Sequence, residues 1–438
     1  MTYSPIPNID DEVAQLVSNL IQIDSTNFGD DSGPGEAAVA EYVEELLKEV
    51  GYDPERFETS SSKRQGVYLR IPGEDSSLPA LLAHGHLDVV PAVGDWTHPP
   101  FGGEIHDGMV WGRGAVDMKD GNGILLSVVR AWKRLGIKPR RDLVMLFLPD
   151  EEAGGRHGAH WLVDNRPEFF QGVSEAVGEV GGFSFQVNQD LNLYFIQTAE
   201  KGIRWMQLIA EGKAGHGAMH NDVNAVTELA ETVSRIGKHR FERRLTKTNI
   251  ALVKAISEAF NLDIDPDDVE SLVKVLGPTA RTIGASFSNT AKPTMLNAGY
   301  KVNVVPGEAS AMIDARVLPG YESEFDQEFN QLLGDSVKRV DVISDIALET
   351  EFEGPMVDLM AASLSIEDPN ARTVPYLLSG GTDAKAFARL GIRCYGFIPL
   401  QLPPDLDFAA LFHGVDERVP ISSLQFGTRV MERFLRQA

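Results

Sequence analysis

The stretch LLAHGHLDVVPA, residues 81–92, ends an apolar strand pattern with three polar side chains. Because side chains alternate along an extended strand, His84, His86 and Asp88 are expected on the same face. Burying that much polarity costs free energy unless each group has a partner. A metal ion is one such partner and a hydrogen-bonded core cluster is another. This stretch alone leaves both interpretations open.

Apolar strands and amphipathic helices alternate on both sides of this stretch. Apolar residues at helical spacing predict helices over residues 12–23 and 35–50, and a third helix is predicted from Gly121 to Leu135. The apolar runs GVYLRI and DLVMLFLP predict buried strands. This alternation predicts an α/β domain with a mostly parallel sheet and flanking helices.

Residues 203–347 have a different pattern. The strand-like segments RWMQLIAEG, ASAMIDARVL and RVDVIS are mixed with helical segments such as NAVTELAETVSRIG, which is typical of a small α+β unit with an antiparallel sheet. We interpret residues 239–292 as a helical elaboration. Because 438 residues are too many for one ordinary core, we predict that an α/β domain of residues 1–202 and 348–438 is interrupted by this smaller domain.

Composition limits the partners and the location. The chain has 40 Lys and Arg residues against 64 Asp and Glu residues, a net charge of −24, which argues against nucleic acids and anionic membranes as partners. Cys394 is the only cysteine, so no internal disulfide forms, and its apolar surroundings predict a buried thiol. The sequence has no long apolar segment and no basic leader, so we expect a cytoplasmic protein.

Four further apolar runs end in polar groups. They place Asp117 before a helix start, Glu151 and Glu152 after a strand, Glu179 among glycines, and His413 near the C-terminus. Ligands bind where the carboxyl ends of strands meet in an α/β sheet, so these residues can converge. Taken alone, Asp117 is explained by a helix cap and Glu151 with Glu152 by a solvated charge pair, and Glu179 and His413 carry almost no signal. Together the acids and histidines suit divalent ions, and imidazole favours zinc.

The order of five motifs resembles that of a known enzyme family. HGHLDVVP, GRGAVDMKDG, DEEAGG, GEVGG and FHGVDE are similar, in this order, to the metal-ligand motifs of the dinuclear zinc exopeptidases and deacylases. That family includes aminoacylase-1, carboxypeptidase G, acetylornithine deacetylase and succinyl-diaminopimelate desuccinylase. The resemblance covers nearly the whole chain. It implies that residues 1–202 and 348–438 form the catalytic domain and that residues 203–347 form a lid that mediates homodimerisation.

The resemblance also implies a set of metal ligands. In that set His86 and Glu179 hold one divalent ion, Glu152 and His413 hold a second, and Asp117 bridges both. The ions are expected to be Zn²⁺, with Co²⁺ or Mn²⁺ as alternatives. Three ligand carboxylates against two divalent ions leave the centre close to neutral.

Other motif residues resemble the catalytic and substrate-binding groups of the family. The resemblance implies that Glu151 is the general base for the attack of water on an amide carbonyl, and that Asp88 orients a ligand. AGHGAMHN is similar to a Gly-His-Gly-Ser segment, which implies that His216 reaches a partner subunit's site and stabilises the oxyanion. KVNVVP, IDARVLPG and SGGTDA resemble segments that contact a substrate carboxylate, a role this implies for Asn303, Arg316, Gly380, Gly381 and Thr382.

Ordinary structural roles remain open for these candidates. His216 is otherwise a loop residue, Arg316 a strand ion-pair partner, and Thr382 a helix cap. The sequence departs from the family at three positions that are not proposed ligands, namely Ala218, His220 and Asp120, where Ser, Pro and Gly are common. The geometry of the lid loop is therefore less determined than the metal centre.

We expect a cytoplasmic, homodimeric, two-metal hydrolase that cleaves an amide bond next to a free carboxylate. A dipeptidase or carboxypeptidase acting on a small peptide is the first expectation, and an N-acyl-amino-acid deacylase of the aminoacylase or desuccinylase type is the alternative. Two other classes are a non-enzymatic binding protein and a two-metal phosphoesterase. The general base Glu151 argues against the first class, and the carboxylate-recognition groups argue against the second.

Overall fold

The structure, a computed structural model, describes residues 3–30, 32–262, 264–265, 269–277 and 283–438. Residues 263, 266–268 and 278–282 of the predicted helical elaboration lie outside this part. The helices are α1 Val13–Ile21, α2 Ala37–Glu49, α3 Lys119–Leu135, α4 Ala159–Asn165, α5 Ala225–Lys238, α6 Lys247–Phe260, α7 Val269–Leu276, α8 Glu322–Leu333, α9 Pro355–Glu367, α10 Ala384–Ala388 and α11 Ile421–Gln437.

The strands form a large sheet, a smaller sheet and two short ribbons. They are β1 Glu55–Glu58, β2 Gln65–Ile71, β3 Ala80–His86, β4 Ile105–His106, β5 Met109–Trp111, β6 Leu143–Leu148, β7 Val173–Gly178, β8 Phe183–Asn188, β9 Leu191–Glu200, β10 Gly202–Glu211, β11 Gly215–His216, β12 Thr290–Ala298, β13 Val304–Val305, β14 Glu308–Val317, β15 Val337–Ser344, β16 Leu348–Glu349, β17 Ala371–Leu378, β18 Arg393–Gly396 and β19 Arg418–Pro420.

The large sheet is parallel at its centre. Its strand order is β1–β2–β6–β3–β7–β18–β9–β16, and β8 and β17 also pair with β9. Strand β3 pairs in parallel with both β6 and β7, and β18 continues in parallel beside β7. Every residue of β6, LVMLFL, is buried, as expected for a strand covered on both faces. The predicted α/β fold with a mostly parallel sheet is confirmed, with antiparallel strands added towards the edges.

Helices cover both faces of the large sheet. Helices α1, α3 and α11 pack together on one face, where Trp132 of α3 is fully buried. Helix α3 ends at Leu135 because Gly136, at φ +67°, supplies a left-handed C-cap. On the other face, α4 and α10 pack against strand residues such as Leu82.

Cys394 is buried in β18, as expected. No helix in the described ranges is long and apolar enough to cross a bilayer.

The smaller sheet is antiparallel and has the order β12–β14–β10–β15. Helices α5 and α8 cover one face, where Leu208, Ile313 and Phe329 share a separate core. The chain leaves the large sheet after Glu200 and returns to it at Leu348. The exact domain boundaries stay a prediction, because α6, within residues 203–347, packs its apolar face on β17 of the large sheet.

Candidate metal centre and active site

Three adjacent parallel strands bring acids and a histidine to one edge of the large sheet. Strand β3 ends at His86, which pairs in register with Leu148 at the end of β6. Glu151 and Glu152 follow β6 within a single 3₁₀ turn, and Glu179 directly follows β7. Because these are carboxyl ends of parallel strands, residues far apart in sequence meet there, as the motifs predicted.

His86 faces two carboxylates with one ring nitrogen. Its Nδ1 lies 2.9 Å from the backbone oxygen of Asp88, and its Nε2 lies 3.1 Å from Asp117 Oδ1 and 3.3 Å from Glu179 Oε2. A carbonyl oxygen only accepts, so a neutral ring carries its proton on Nδ1. The lone pair of Nε2 then points at two carboxylates. Either a second proton on the ring or a cation held between the groups satisfies this arrangement.

The Asp117 carboxylate lies between two histidines. Its Oδ1 faces His86, its Oδ2 lies 3.2 Å from His413 Nε2, and that nitrogen lies 3.3 Å from Glu152 Oε2. The other oxygen of Glu152, Oε1, is buried and has no hydrogen-bond partner. Ligand atoms of His86, Glu151 and Glu179, and of His86, Asp117 and Glu152, lie close enough to hold a metal ion. Two imidazoles, three carboxylates and an orphaned buried oxygen fit a pair of divalent cations.

The electrostatics of the cluster agree with this geometry. Burial raises the pKa of Glu152 to about 7 and that of Glu179 to about 7. Hydrogen bonds to Asp117 and Glu152 raise the pKa of His413 to about 10. Burial opposes ionisation of Asp117, but the hydrogen bonds with His413 and His86 hold its pKa below the usual range. Without a cation the cluster is crowded with carboxylates that burial disfavours in the charged form.

Asp88 holds the turn that carries the two glutamates. Its Oδ1 accepts a hydrogen bond from the backbone N–H of Glu151 (3.1 Å), and its Oδ2 accepts one from that of Glu152 (3.0 Å). The side chain of Asn27 donates a third, at 2.8 Å. Asp88 also lies 3.5 Å from Nδ1 of His86. Asp88 therefore contacts both His86 and the turn of the two glutamates, and its role in orienting a ligand stays a prediction. Asn27, which contacts Asp88, was missed by sequence analysis.

Glu417 is a second residue that sequence analysis missed. This buried carboxylate accepts hydrogen bonds from the backbone N–H groups of Gly114 (3.0 Å) and Val116 (2.8 Å) and from Arg113 Nη1 (2.6 Å). It therefore joins the loop that presents Asp117 to the segment that presents His413. The available signal was a glutamate four residues after a candidate ligand, directly before a buried strand.

Strained backbone surrounds the cluster. Asp150 has φ +72°, Val180 has φ +59° and His413 has φ +57°. Asp150 directly precedes Glu151, Val180 directly follows Glu179, and His413 itself belongs to the cluster. Such conformations cost of order 1–3 kcal/mol and persist where the surroundings impose them, most often at functional sites. Val180 is the least expected of the three because β-branched residues rarely adopt positive φ.

The cluster opens into a cavity of about 420 Å³, and several predicted substrate-binding residues also line this cavity. Those that line it are Arg316, Gly380, Gly381 and Thr382. The guanidinium of Arg316 forks onto Asp314, through Nε at 2.7 Å and Nη2 at 3.2 Å. The N–H and O–H of Thr382 both donate to Glu200, at 2.9 and 2.5 Å, and its hydroxyl accepts from the N–H of Ala384. The cap interpretation of Thr382 therefore matches its contacts, and its donors are already engaged.

His216 and Asn303 are not brought to this cavity. Both lie at the exposed ribbon of β11 and β13, where Gly217 N–H donates to the Asn303 backbone oxygen at 3.0 Å. Nδ1 of His216 accepts a hydrogen bond from Ala218 N–H, at 3.1 Å. Neither residue is among the described residues that line the cavity of this chain. The unassigned His84 is buried, with its ring edge against Phe387.

Comparisons with known proteins identify relatives over most of the chain. The model of peptidase family M20/M25/M40 matches residues 82–437. A probable carboxypeptidase S-like 2 of Dictyostelium discoideum is 29% identical over 80% of this chain and 70% of its own length. Aminoacylase-1 of Sus scrofa is 26% identical over 88% of this chain and 86% of its own length. An M20 family metallo-carboxypeptidase of Sulfolobus solfataricus shares the fold, with a TM-score of 0.74 at 19% identity, over 97% of this chain and 99% of that one.

Proposed function

Because this chain belongs to peptidase family M20/M25/M40 and is a hydrolase of C–N bonds, we propose that it cleaves an amide bond next to a free carboxylate with two bound divalent ions. The observation that carries the proposal is the Asp117 carboxylate, which faces His86 with one oxygen and His413 with the other. Glu179 lies 3.3 Å from the same nitrogen of His86, and Glu152 lies 3.3 Å from the same nitrogen of His413.

These five residues would hold the ions, with Asp117 shared between them. When bound, two divalent ions supply Lewis acidity that activates water and polarises the scissile carbonyl. We propose Zn²⁺ because imidazole and carboxylate ligands suit it, and Co²⁺ or Mn²⁺ remain the alternatives.

Glu151 would move the proton. It lies beside His86 and Glu179, is not one of the five ligands, and has its backbone held by Asp88. In this role Glu151 takes a proton from the attacking water and delivers it to the nitrogen of the leaving amine. Asp88 acts through Glu151 and His86 and is a positioning residue.

Other residues that line the same cavity would bind the substrate carboxylate. Arg316 and the backbone of Gly380 and Gly381 support this role, because a guanidinium and a glycine turn both present N–H donors. Thr382 would have to release Glu200 to take part. A small peptide and an N-acyl amino acid both carry such a carboxylate. The carboxypeptidase-like and aminoacylase relatives support these two substrate classes.

We also propose a homodimer that forms through residues 203–347. Strand β12 is an edge of the smaller sheet and exposes Met295 and Leu296, and the nearby Tyr300 and Val302 are exposed as well. Exposed apolar edge strands favour pairing with a second chain. His216 would then act at the partner subunit's site. A cytoplasmic location stays a prediction.

Metal content and hydrolysis test the enzymatic proposal together. We expect about two ions per chain, activity that is lost on chelation and restored by Zn²⁺, and cleavage of dipeptides or of N-acetyl and N-succinyl amino acids. Separate reloading with Co²⁺ or Mn²⁺ compares the metals. A metal-loaded chain without amidase activity would favour a binding protein, and a phosphomonoester cleaved faster than every amide would favour a phosphoesterase.

Sedimentation tests the dimer. The wild-type protein should sediment as a dimer, and Leu296→Lys should shift it towards the monomer because it places a charge in the proposed contact. Lys292→Glu, also exposed on β12, separates a general charge effect from loss of the apolar contact. A monomeric wild-type protein at micromolar concentration contradicts the proposal.

A further inference from the structure

Glu200 is a buried carboxylate that contacts residues of the cavity wall, and the proposed mechanism assigns it no role. It is the last residue of β9, where the chain leaves the large sheet. Its side chain accepts hydrogen bonds from the N–H and the hydroxyl of Thr382, and Gln197 Nε2 donates to its Oε1 at 2.9 Å. The ammonium of Lys385 forms an ion pair with Oε2. Thr382 and Lys385 both line the cavity.

The backbone N–H groups of residues 379–382, here called the glycine turn, are used in two ways. The N–H of Thr382 donates to Glu200 at 2.9 Å. Within the described part of the chain, the N–H groups of Gly380 and Gly381 donate to no other group, although both residues line the cavity. Successive backbone N–H groups in a turn suit an anion. The donors that are open to a substrate carboxylate are therefore those of the two glycines.

Lys385 packs closely on this turn. A Cβ atom at Gly381 would lie 2.8 Å from Lys385 Nζ and 2.9 Å from Ile203 Cδ1, so any side chain at this position would have to displace one of them. Ile203 pairs in register with Arg316, the other group proposed to bind the carboxylate. The ion pair with Glu200 therefore holds an ammonium against the backbone of the turn, on which the neighbour of Arg316 also packs.

The burial of Glu200 makes these contacts restrictive. A buried carboxylate is tolerated when its charge is paired and its oxygens accept hydrogen bonds. Glu200 meets both conditions with four donors, and three of them belong to Thr382 and Lys385. A shift of the glycine turn would leave buried polar groups without partners. That cost holds the turn in one conformation.

We propose that Glu200 is a positioning residue for substrate binding: together with Lys385 it holds the glycine turn in the conformation that binds the substrate carboxylate. In that conformation the N–H groups of Gly380 and Gly381 donate to the carboxylate. The inference rests on the proposed function, in which this turn binds a carboxylate. It assigns Thr382 to the support of the turn, because Glu200 engages both of its donors.

Two substrates that differ only at the carboxylate test this proposal. On the metal-loaded protein, kcat/KM is measured for the best substrate and for its carboxamide, and the ratio of the two values reports recognition of the carboxylate. Glu200→Gln keeps the shape of the side chain but removes the charge that pairs with Lys385, so this ratio should fall by about tenfold or more. The loss should appear in KM with kcat nearly unchanged, as when only uniform binding is lost.

Glu175→Gln is the matched control. Glu175 is also a buried carboxylate in a strand of the large sheet and forms an ion pair with Arg141 at 2.5 Å, but it is not among the described residues that line the cavity. The control should leave the ratio unchanged. Because each ratio is taken within one variant, partial loss of folded protein cancels.

A second variant serves if Glu200→Gln does not fold. Gln197→Met removes one donor to Glu200 from a buried residue that is not among the described residues lining the cavity. It should lower the same ratio by about threefold.

Thr382→Val, alone and combined with Glu200→Gln, tests the assignment of Thr382. If the hydroxyl acts only through Glu200, the double variant should have about the same ratio as Glu200→Gln alone. Losses that multiply would mean that Thr382 binds the substrate itself, and would overturn its assignment to the support of the turn.

The remaining outcomes separate this inference from the proposed function. An unchanged ratio in Glu200→Gln, or an equal fall in Glu175→Gln, overturns the positioning role and leaves the amidase intact. Equal cleavage of both substrate forms by the wild-type protein overturns carboxylate recognition, and this inference with it. No cleavage of any amide overturns the proposed function itself.

Discussion

The buried cluster and the exposed ribbon both carry motif residues, but the fold holds them differently. His86 and Asp117 meet at the ends of buried strands and loops. There Asp88 and Glu417 accept hydrogen bonds from backbone N–H groups, and Asn27 donates to the Asp88 side chain. His216, by contrast, is exposed and is held by its own loop. One chain thus brings the residues of the cluster together, whereas His216 would act only at the site of another chain, as proposed above. The predictions below test this difference, from the largest expected effect to the smallest.

Glu151→Gln should abolish most turnover while the ions stay bound. The amide keeps the shape of the side chain but cannot take a proton, so kcat should fall by about 10²–10⁴-fold. Rates on the best substrate and metal content per chain check this, with Glu58→Gln at an exposed strand position as the control. Equal loss of metal and activity in Glu151→Gln would falsify its assignment as the base.

His216→Ala should lower kcat by about 10²–10³-fold if the imidazole stabilises an oxyanion. Because His216 lies outside the cavity of its own chain, two inactive variants should complement each other. Mixed dimers of Glu151→Gln and His216→Ala contain one site with both groups intact, so exchange of subunits should restore about a quarter of wild-type activity.

A matched mixture controls this complementation. Glu151→Gln and Asp117→Asn both damage the cluster of their own chain, so no mixed dimer contains an intact site. That mixture should remain inactive after the same exchange. If the His216→Ala mixture also stays inactive although mixed dimers form, the ribbon does not serve the partner's site.

Glu417→Gln should weaken metal binding without removing a ligand. The substitution replaces an acceptor of two backbone N–H groups and so loosens the loop that carries Asp117. Changes to residues that support metal ligands typically lower metal affinity by about 10–100-fold, and we expect a loss of about that size here. Titration of the metal-free protein with Zn²⁺ measures the apparent Kd, and kcat at saturating metal should recover. An unchanged Kd would show that this loop is held by other contacts.

Sequence patterns predicted the cluster better than its supports, for a physical reason. His86, Asp117 and Glu179 end or follow apolar runs, where unpartnered polar groups are costly, so their presence is informative. Asn27 and Glu417 lie in segments whose local pattern is that of ordinary loops. Their importance depends on which backbone N–H groups they meet across the fold. The amphipathic pattern of α6 likewise predicts a helix, but not which of the two sheets its apolar face covers.

The mildest expected effect concerns the segment through which the chain returns from the smaller sheet to the large one. There Asp345 Oδ2 lies 2.9 Å from His160 Nε2 of α4, and both residues line the cavity. Burial opposes ionisation of Asp345, but the hydrogen bond from His160 holds its pKa below the usual range. Its stabilising contribution is therefore present above the unfolded-state pKa of about 3.9 and is lost as the pH falls through the lower folded-state value.

Asp345→Asn should lower the free energy of unfolding of the metal-loaded protein by about 1 kcal/mol at pH 7. The difference from wild type should stay constant down to about pH 5 and shrink below about pH 4 as the wild-type carboxylate protonates. Denaturant unfolding at several pH values measures it, with the exposed Asp335→Asn as the control. A difference that grows on acidification contradicts the sign of the shift.

Because this contact joins α4 to the return segment and not to the ribbon, the variant should leave the complementation of His216→Ala unchanged. Loss of complementation would mean that the position of the ribbon depends on this contact, so that the cluster and the ribbon are not held independently of each other.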